Sequence, residues 1–374
     1  MSQVFIAAAH KSSGKTLVSI GLCAAYRRRA MRVAAFKKGP DYIDPAWLAR
    51  ASGRPCWNLD FFTMDHDEIH SCFEERRQDA DVVVVEGNKG LFDGLDVEGS
   101  DSNAALAVRL GLPVILVIDV TGITRGIAPL LTGYTGFDPD VQIVGVILNR
   151  VAGPRQESKL RAAIERYSDL PVLGAIGRTS GLGIEERHLG LIPGNEDPDA
   201  LGRIDRIADV VEAGVDLDAV LALTADHQEP VATRSATPSA LSSSKDSPVK
   251  IGIARDRAFG FYYPDDLAAF EQAGADLIPF DTLQDANLPS LDGLFIGGGF
   301  PECFLEPLSA NAHLRAEIKA FIEDGGPTYA ECGGLMYLSR SIAWKDRKLP
   351  MVGVIPGAVS YTHLRAHETS LQVV

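Results

Sequence analysis

The sequence has few cysteines and no recognisable pattern among them. Five occur in 374 residues, and no two of them form a Cys-x-x-Cys pair. An odd number without such spacing favours reduced thiols over a disulfide framework or a structural zinc site. We therefore expect neither kind of cross-link to stabilise the fold.

Basic charge and long apolar runs are also scarce. The net charge is −14, which disfavours a nucleic-acid partner because binding a phosphate backbone requires a concentrated basic surface. The one notable basic run, at 27–29, falls where the first predicted helix should end and suits a helix C-terminus. No apolar run approaches the length of a membrane span and no leader precedes Val4. We expect a cytoplasmic protein without a membrane partner.

The composition itself is typical of a globular protein. Hydrophobic residues make up 46% and charged residues 23%, which excludes the disordered and fibrous classes. The length suffices for two or three domains that each bury a core of their own.

A segment near the N-terminus has the pattern of a strand, a phosphate-binding loop and a helix. Residues 4–7 are strand-like, and apolar residues from 17 to 22 give the following segment a helical face, although alanine replaces the leading glycine of the usual loop. In such a loop, backbone N–H groups wrap a polyphosphate, the lysine reaches its outer oxygens and the next hydroxyl ligates Mg²⁺. The predicted ATP-binding residues are Ser12, Ser13, Gly14, Lys15 and Thr16, with Thr16 also a metal ligand.

Two acidic loops follow predicted strands. Residues 37–45 place two carboxylates, two ammonium groups and a phenol between a glycine and two prolines, and loops after parallel strands are where such folds bind ligands. The β-branched run at 81–86 ends in Glu86, where P-loop enzymes hold Mg²⁺ directly or through water. A glycine-hinged loop carrying Asp93 comes next. We interpret both loops as functional.

Further strand patterns alternate with helical stretches. This alternation predicts a doubly wound parallel α/β domain. The additional predicted strands lie at 32–36, 114–118, 143–148 and 172–176.

The second half of the chain restarts the α/β pattern after a linker rich in Thr, Ser, Ala and Pro. Residues 327–338 predict a short strand, a sharp turn at Cys332 and an apolar helix, which resembles a nucleophile elbow with sulfur in place of the serine oxygen. The turn exposes the thiol, and the helix start favours its thiolate. The predicted oxyanion donors are the backbone N–H groups of Gly298, Gly299 and Gly333.

Together these parts predict one reaction. A phosphate loop with acidic strand ends activates a substrate with ATP, and a cysteine elbow can hydrolyse an amide through a thioester. The combination indicates ATP-dependent amidation with glutamine as the nitrogen source.

Four motifs resemble the cobyrinic acid a,c-diamide synthase family. They are Lys-Lys-Gly-Pro-Asp-Tyr-Ile-Asp-Pro at 37–45, Glu-Arg-His-Leu-Gly-Leu at 186–191, Ala-Phe-Gly-Phe-Tyr-Tyr at 258–263 and Ala-Glu-Cys-Gly-Gly at 330–334. The resemblance implies a domain like dethiobiotin synthetase that phosphorylates a tetrapyrrole carboxylate, and a class I glutamine amidotransferase domain that supplies ammonia. It implies ATP, Mg²⁺ and glutamine or ammonia, and it leaves a homodimer open.

The resemblance also assigns site residues. Asn149 is implied to meet the adenine, and Asp41 is implied to be a metal ligand together with Thr16 and Glu86. The residues implied to line the catalytic centre are Asp41, Tyr42, Asp44, Glu86 and Asp93, with Cys332 as the nucleophile of the second domain.

The expected domains are a P-loop synthetase at 1–223, a linker at 224–248 and an amidotransferase domain at 249–358. Residues 359–374 resemble nothing in the family and look like a translated sequencing adapter. The family continues to a segment with the partner histidine of the cysteine, so we expect an incomplete second domain and impaired glutaminase activity. On this interpretation neither His363 nor His367 is the partner histidine of Cys332.

Three alternatives remain at this stage. Residues 124–129 look more like relatives that amidate sirohaem-type rings. A ParA-like ATPase switch would carry a lysine five residues before the loop lysine, where this chain has His10. The cysteine domain could also be a pseudo-enzyme that only binds a partner.

Overall fold

The computed structural model describes residues 1–178, 186–187, 190–225 and 248–360. The chain divides into two units, Met1–Ser235 and Ala236–Val374, and the division falls inside the predicted linker. Residues 226–247 of that linker, residues 361–374 and His188 of the 186–191 motif lie outside the described residues. In the described part of the chain, no helix combines the length and the apolar character needed to cross a bilayer.

The first unit alternates strands and helices along most of its length. Its elements are β1 (Ser2–Ala8), α1 (Lys15–Arg28), β2 (Val33–Lys38), α2 (Ile43–Ser52), β3 (Cys56–Leu59), α3 (His66–Arg77), β4 (Val82–Glu86), α4 (Asn103–Arg109), β5 (Val114–Asp119), α5 (Ile127–Phe137), β6 (Ile143–Val151), α6 (Pro154–Tyr167), β7 (Val172–Gly177), β8 (Glu186–Arg187), β9 (Gly190–Leu191), α7 (Ala200–Gly214) and α8 (Leu217–Leu223).

A seven-stranded parallel sheet forms the centre of this unit, in the order β3-β2-β4-β1-β5-β6-β7. Helices cover both faces, which confirms the predicted doubly wound α/β class. The pattern at 81–86 explains why: Val82 and Val84 lie in one apolar core, while Val83 and Val85 lie in the core on the opposite face. A strand buried on both faces needs apolar residues at consecutive positions rather than alternate ones.

Two details of this unit differ from the predicted pattern. The edge strand β3 spans only Cys56–Leu59, which is too short to show a periodicity. The last helical segment of this unit is two helices rather than one, because the chain turns after Gly214 and Asp216 caps α8 by accepting a hydrogen bond from the Ala219 N–H at 2.9 Å.

The second unit is a smaller α/β unit. Its elements are β10 (Val249–Ala254), β11 (Phe259–Phe261), α9 (Pro264–Gln272), β12 (Ala275–Phe280), β13 (Gly293–Ile296), β14 (Gly298–Gly299), a 3₁₀ turn (Pro301–Phe304), α10 (Leu305–Ala310), α11 (Ala312–Glu323), β15 (Thr328–Ala330), α12 (Gly333–Leu338), β16 (Ser339–Trp344), β17 (Arg347–Pro350) and β18 (Ile355–Ser360). A parallel sheet in the order β12-β10-β13-β15 forms its centre, β11 pairs with β14, and β16 lies between β17 and β18.

Candidate active site

The sheet order of the first unit brings three predicted site segments to one edge. β4 lies between β1 and β2, so the phosphate loop, the 37–45 loop and Glu86 all leave the sheet side by side. The strand register places Glu86 opposite Ile6 of β1 on one side and opposite Lys37 of β2 on the other. Because the strands are parallel, their carboxyl ends meet at this edge.

The phosphate loop is fixed by side chains and by its own backbone. Gly14 has φ 95°, and a Cβ there would stand 2.0 Å from Nδ2 of Asn149, so only glycine fits. The same Asn149 amide donates a hydrogen bond to the Ser13 carbonyl oxygen at 2.8 Å. The Ser13 hydroxyl donates to the His10 carbonyl oxygen at 2.8 Å, and Ser12 has φ 63°. Asn149 thus contacts the loop directly, and its predicted contact with adenine stays a prediction.

Lys15 and Thr16 begin helix α1 beneath this loop. Lys15 is 7% exposed, and burial lowers the pKa of its ammonium although the Glu86 carboxylate opposes the shift. The Thr16 hydroxyl donates to Oε1 of Glu86 at 2.8 Å. The two residues predicted to reach the phosphate and the metal therefore lie next to the acid at the end of β4.

Lys37 lies at the centre of a buried ion cluster. Its ammonium nitrogen is 2.5 Å from Oδ2 of Asp44, 2.9 Å from Oε1 of Glu86 and 3.6 Å from Oδ2 of Asp41. The side chain is only 2% exposed, and although burial opposes it, these carboxylates hold the pKa of Lys37 well above its usual value. Lys37 therefore stays charged and gathers the carboxylates around itself.

The sequence pattern does not distinguish Lys37 from the other charged residues of its loop. The signal that identifies it is structural: it ends β2 in register with Glu86 at the end of β4. A lysine in register with a buried glutamate must pair with it, since an unpaired buried charge is very costly.

Glu86 has the features of a metal ligand. It is fully buried, and burial raises the pKa of its carboxyl group although Lys37 lowers it. Its Oε2 atom has no hydrogen-bond partner among the residues that the structure describes. A buried carboxylate oxygen without a partner, beside a threonine hydroxyl that contacts the other oxygen, fits a site that completes its coordination with a bound Mg²⁺.

The protein alone does not form a full metal cage. Within the described ranges, no group of three or more His, Cys, Asp or Glu side chains is arranged to hold a metal ion. Mg²⁺ at nucleotide sites uses one or two protein carboxylates together with substrate phosphates and water, so a partial ligand set is what such a site requires.

The other predicted catalytic residues surround this cluster. Asp41 accepts hydrogen bonds through Oδ1 from the Ile43 N–H at 2.8 Å and the Asp44 N–H at 3.3 Å, which fixes the turn into α2. Tyr42 immediately precedes the first residue of helix α2. Asp93 is exposed on the loop after β4, where its Oδ2 accepts from the Gly90 N–H at 3.0 Å.

Asp44 is nearer to the other metal candidates than Asp41 is. Its Oδ2 lies 3.4 Å from the Thr16 hydroxyl, and the charge of Lys37 holds the pKa of Asp44 below its usual range although burial opposes this shift. Burial instead raises the pKa of Asp41. The assignment of Asp41 to the metal stays a prediction, and Asp44 joins the candidates.

Cys332 of the second unit lies on a strained turn between β15 and α12. Its φ is 47° and its ψ is −113°, a conformation that a residue with a side chain rarely adopts. The residue is exposed. Strain that presents a thiol to solvent is the feature expected of a nucleophile elbow.

The predicted oxyanion glycines lie around this cysteine. A Cβ on Gly333 would stand 2.6 Å from the Gly299 carbonyl oxygen, so α12 begins directly against the 298–299 backbone. A Cβ on Gly298 would stand 3.4 Å from the Cys332 Cβ. The structure thus gathers Gly298, Gly299, Gly333 and Cys332 in one place, while the role of their N–H groups stays a prediction.

A histidine base for Cys332 is not found in the described part of the second unit. His313 is its one histidine between residues 248 and 360, and its Nε2 lies 3.1 Å from Oδ1 of Asn287 and 3.5 Å from Oε1 of Glu317. His363 and His367 lie outside the described residues.

Comparisons with known proteins match both units. A family model described as the CobQ/CobB/MinD/ParA nucleotide binding domain matches residues 4–191, and one described as the CobB/CobQ-like glutamine amidotransferase domain matches residues 250–373. The second match includes most of the 359–374 segment that the sequence analysis set apart. The origin of that segment stays a prediction.

Curated relatives match nearly the whole chain. The cobyrinate a,c-diamide synthase of Magnetococcus marinus is 46% identical over 377 residues, which cover 98% of this chain and 80% of that protein. The enzyme of the same name from Listeria monocytogenes serotype 4b is 39% identical, with 97% of this chain and 80% of that protein covered. The enzyme of the same name from Methanosarcina acetivorans is 40% identical, with 95% of this chain and 76% of that protein covered.

Proposed function

This chain belongs to the cobyrinate a,c-diamide synthase family, and on that premise we propose that it amidates side-chain carboxylates of a tetrapyrrole with consumption of ATP and with Mg²⁺ as cofactor. The observation that carries the proposal is the buried cluster of Lys37, Asp44 and Glu86 against Thr16 of the phosphate loop. Such a cluster is costly to bury and is explained by a transferring phosphoryl group and its metal.

The first unit activates the substrate. An oxygen of the substrate carboxylate attacks the γ-phosphorus of ATP, the bond from that phosphorus to the bridging oxygen breaks, and ADP leaves. Ammonia then attacks the acyl carbon, the carbon–oxygen bond to phosphate breaks, and loss of a proton from nitrogen leaves the amide. Phosphorylation is needed because a carboxylate is a poor electrophile until one of its oxygens can leave.

The residues of the cluster have separate roles in this step. Lys15 binds the outer phosphate oxygens, and Lys37 holds Asp44 and Glu86 in place. Thr16 and Glu86, with Asp44 or Asp41, would hold Mg²⁺, which would neutralise the charge that develops on the phosphate oxygens.

Three further residues act on the two substrates. Asp41, Tyr42 and Asp93 position the substrate carboxylate and the attacking ammonia at the rim of the cluster. Asn149 keeps the phosphate loop in its binding conformation through its bond to Ser13. A cytoplasmic location and a homodimer are part of the proposal.

The second unit supplies ammonia from glutamine. The Cys332 sulfur attacks the side-chain carbonyl carbon of glutamine, the thiol proton passes to the nitrogen, the carbon–nitrogen bond breaks and ammonia leaves. Water then hydrolyses the thioester to glutamate and the free thiol. The N–H groups of Gly298, Gly299 and Gly333 stabilise the oxyanion.

The proposal is tested by supplying the purified chain with ATP, Mg²⁺, ammonium and a panel of tetrapyrrole acids. We expect mass spectrometry to show cobyrinate in which NH₂ replaces OH at each amidated carboxyl group, coupled to ADP release. Amidation of a sirohaem-type ring but not of cobyrinate would favour the alternative substrate. ATP hydrolysis that no tetrapyrrole stimulates would favour a ParA-like switch.

We predict that this chain uses ammonia far better than glutamine. A cysteine amidotransferase needs a histidine that takes the thiol proton and protonates the departing ammonia, and His313 contacts Asn287 and Glu317 instead. We expect glutamine-dependent amidation to be at least about tenfold slower than the ammonia-dependent rate. The measurement compares both rates in wild type and in Cys332→Ser, which serves as the control for residual glutaminase.

Rapid glutamine hydrolysis that depends on Cys332 would contradict this prediction. Repeating the assay with His363→Ala and with His367→Ala would then identify the histidine that serves as the base.

A further inference from the structure

Three aromatic side chains form a cluster beside the phosphate loop. The ring centroid of Phe92 lies 5.5 Å from that of Tyr134 and 4.8 Å from that of Phe137. Phe137, at the end of α5, is 73% exposed. We call these three side chains the aromatic platform.

The platform is attached directly to the catalytic centre. The Tyr134 hydroxyl donates a hydrogen bond to the Ala9 carbonyl oxygen at the start of the phosphate loop. On the other side, Phe92 precedes Asp93, and the Leu91 N–H donates to the Ala8 carbonyl oxygen at 2.8 Å. The platform therefore begins at the phosphate loop and ends in solvent at Phe137.

The helix that carries Phe137 is open and uncharged. Helix α5 contains no acidic or basic residue, although Asp138 follows it directly. A Cβ on Gly133 or Gly136 would meet no atom within 4 Å. The loop after Phe92 also exposes Leu95 and Val97. Exposed apolar groups concentrated at a catalytic centre indicate a binding surface rather than chance exposure.

We propose that the aromatic platform binds the face of the tetrapyrrole macrocycle while the carboxylate to be amidated reaches the phosphate loop. This inference rests on the proposed function. A carboxylate that attacks the γ-phosphorus must lie beside the loop, so the ring that carries it must cover the adjoining surface. A broad macrocycle with delocalised electrons matches aromatic side chains by stacking and by burying apolar area.

The apolar character of the platform supports the same occupant. A tetrapyrrole with several free carboxylates can stack its ring face on the platform, where α5 has no carboxylate, while its peripheral carboxylates stay in water away from Asp138. A second copy of the chain, which shares the net negative charge, is the competing occupant that the experiment must exclude.

The test is Phe137→Ala in the full chain. Cobyrinate absorbs visible light, so its dissociation constant is measured by absorbance titration, and the KM values for cobyrinate and ATP are measured in the ammonia-dependent assay. We expect the dissociation constant and the KM for cobyrinate to rise about tenfold, which corresponds to about 1.4 kcal/mol, with the KM for ATP unchanged. Phe137→Tyr, which keeps a ring, should bind cobyrinate like wild type.

Leu201→Ala is the matched control. Leu201 is 61% exposed on α7, whose buried residues belong to the core on the other face of the sheet from that of α5. We expect this variant to bind cobyrinate and ATP like wild type. Circular dichroism of all three variants checks that each is folded.

Cobyrinate binding by Phe137→Ala within twofold of wild type would overturn the inference. If sedimentation shows that wild type is a dimer and Phe137→Ala a monomer, and cobyrinate binding is not weakened, the occupant is a second copy of the chain. The inference is then also wrong. If wild type and Phe137→Ala amidate cobyrinate equally well, only the role of the aromatic platform is rejected. If wild type neither binds nor amidates cobyrinate, the proposed function is rejected as well.

Discussion

Replacing Lys15 by alanine is expected to abolish ATP turnover, with a loss of at least about a thousandfold in ammonia-dependent amidation. Lys15 is the charge that the phosphate loop delivers to the outer phosphates, and its buried position lets it act in a medium of low dielectric constant. A loss of this size corresponds to about 4 kcal/mol of transition-state stabilisation. ADP release and product mass are measured together.

Lys11→Ala is the control for this prediction. Lys11 is exposed in the same loop, so its removal changes the loop charge equally without touching the buried site. We expect Lys11→Ala to retain its rate within about twofold. Turnover by Lys15→Ala within threefold of wild type would contradict the phosphate-loop assignment.

Replacing Glu86 by glutamine is the second change with a large expected effect. We expect the amidation rate to fall at least about a hundredfold while the dissociation constant for ATP measured without Mg²⁺ changes little, because Glu86 acts on the metal and the transferring phosphoryl group rather than on the base. In wild type Mg²⁺ should tighten ATP binding, and in Glu86→Gln this effect should disappear. Fluorescence titration with and without Mg²⁺ measures it.

The same change should leave the protein folded. Lys37 keeps Asp44 and Asp41 as charged partners, and burial raises the pKa of Glu86, so the charged form of Glu86 is not what stabilises the fold. Asp44→Asn is the second variant, because it probes the same cluster from the 37–45 loop. Glu165→Gln, an exposed change on α6, is the control that should alter neither rate nor stability. Glu86→Gln that is folded and retains the wild-type rate would contradict the metal assignment.

Local patterns in the sequence predicted most of the strands and helices of the first unit. The strand and helix around the phosphate loop follow from a short apolar run, a small-residue loop and the apolar helix face that begins at Leu17. The β-branched run of β4 indicated burial on both faces, and the structure confirms it. Such signals lie within a few residues of each other, so they survive without knowledge of the tertiary fold.

The contacts that organise the site could not be predicted in this way. Lys37 meets Glu86 because β2 and β4 pair in one particular register, although the two residues are 49 positions apart. Asn149 reaches Ser13 across 136 positions. Phe92 and Tyr134 come from separate crossovers of the sheet. Register and strand order are global properties, and no local pattern specifies them.

The fate of the carboxylate oxygen shows whether ATP activates a tetrapyrrole carboxylate as an acyl phosphate. Cobyrinate labelled with ¹⁸O in its carboxylates is amidated by the chain with ATP and ammonium, and inorganic phosphate is analysed by mass spectrometry. The account predicts one ¹⁸O atom in phosphate for each amide formed, because the carboxylate oxygen that attacks phosphorus leaves with it. Label that remains wholly in the product, or that appears in AMP, would contradict the account.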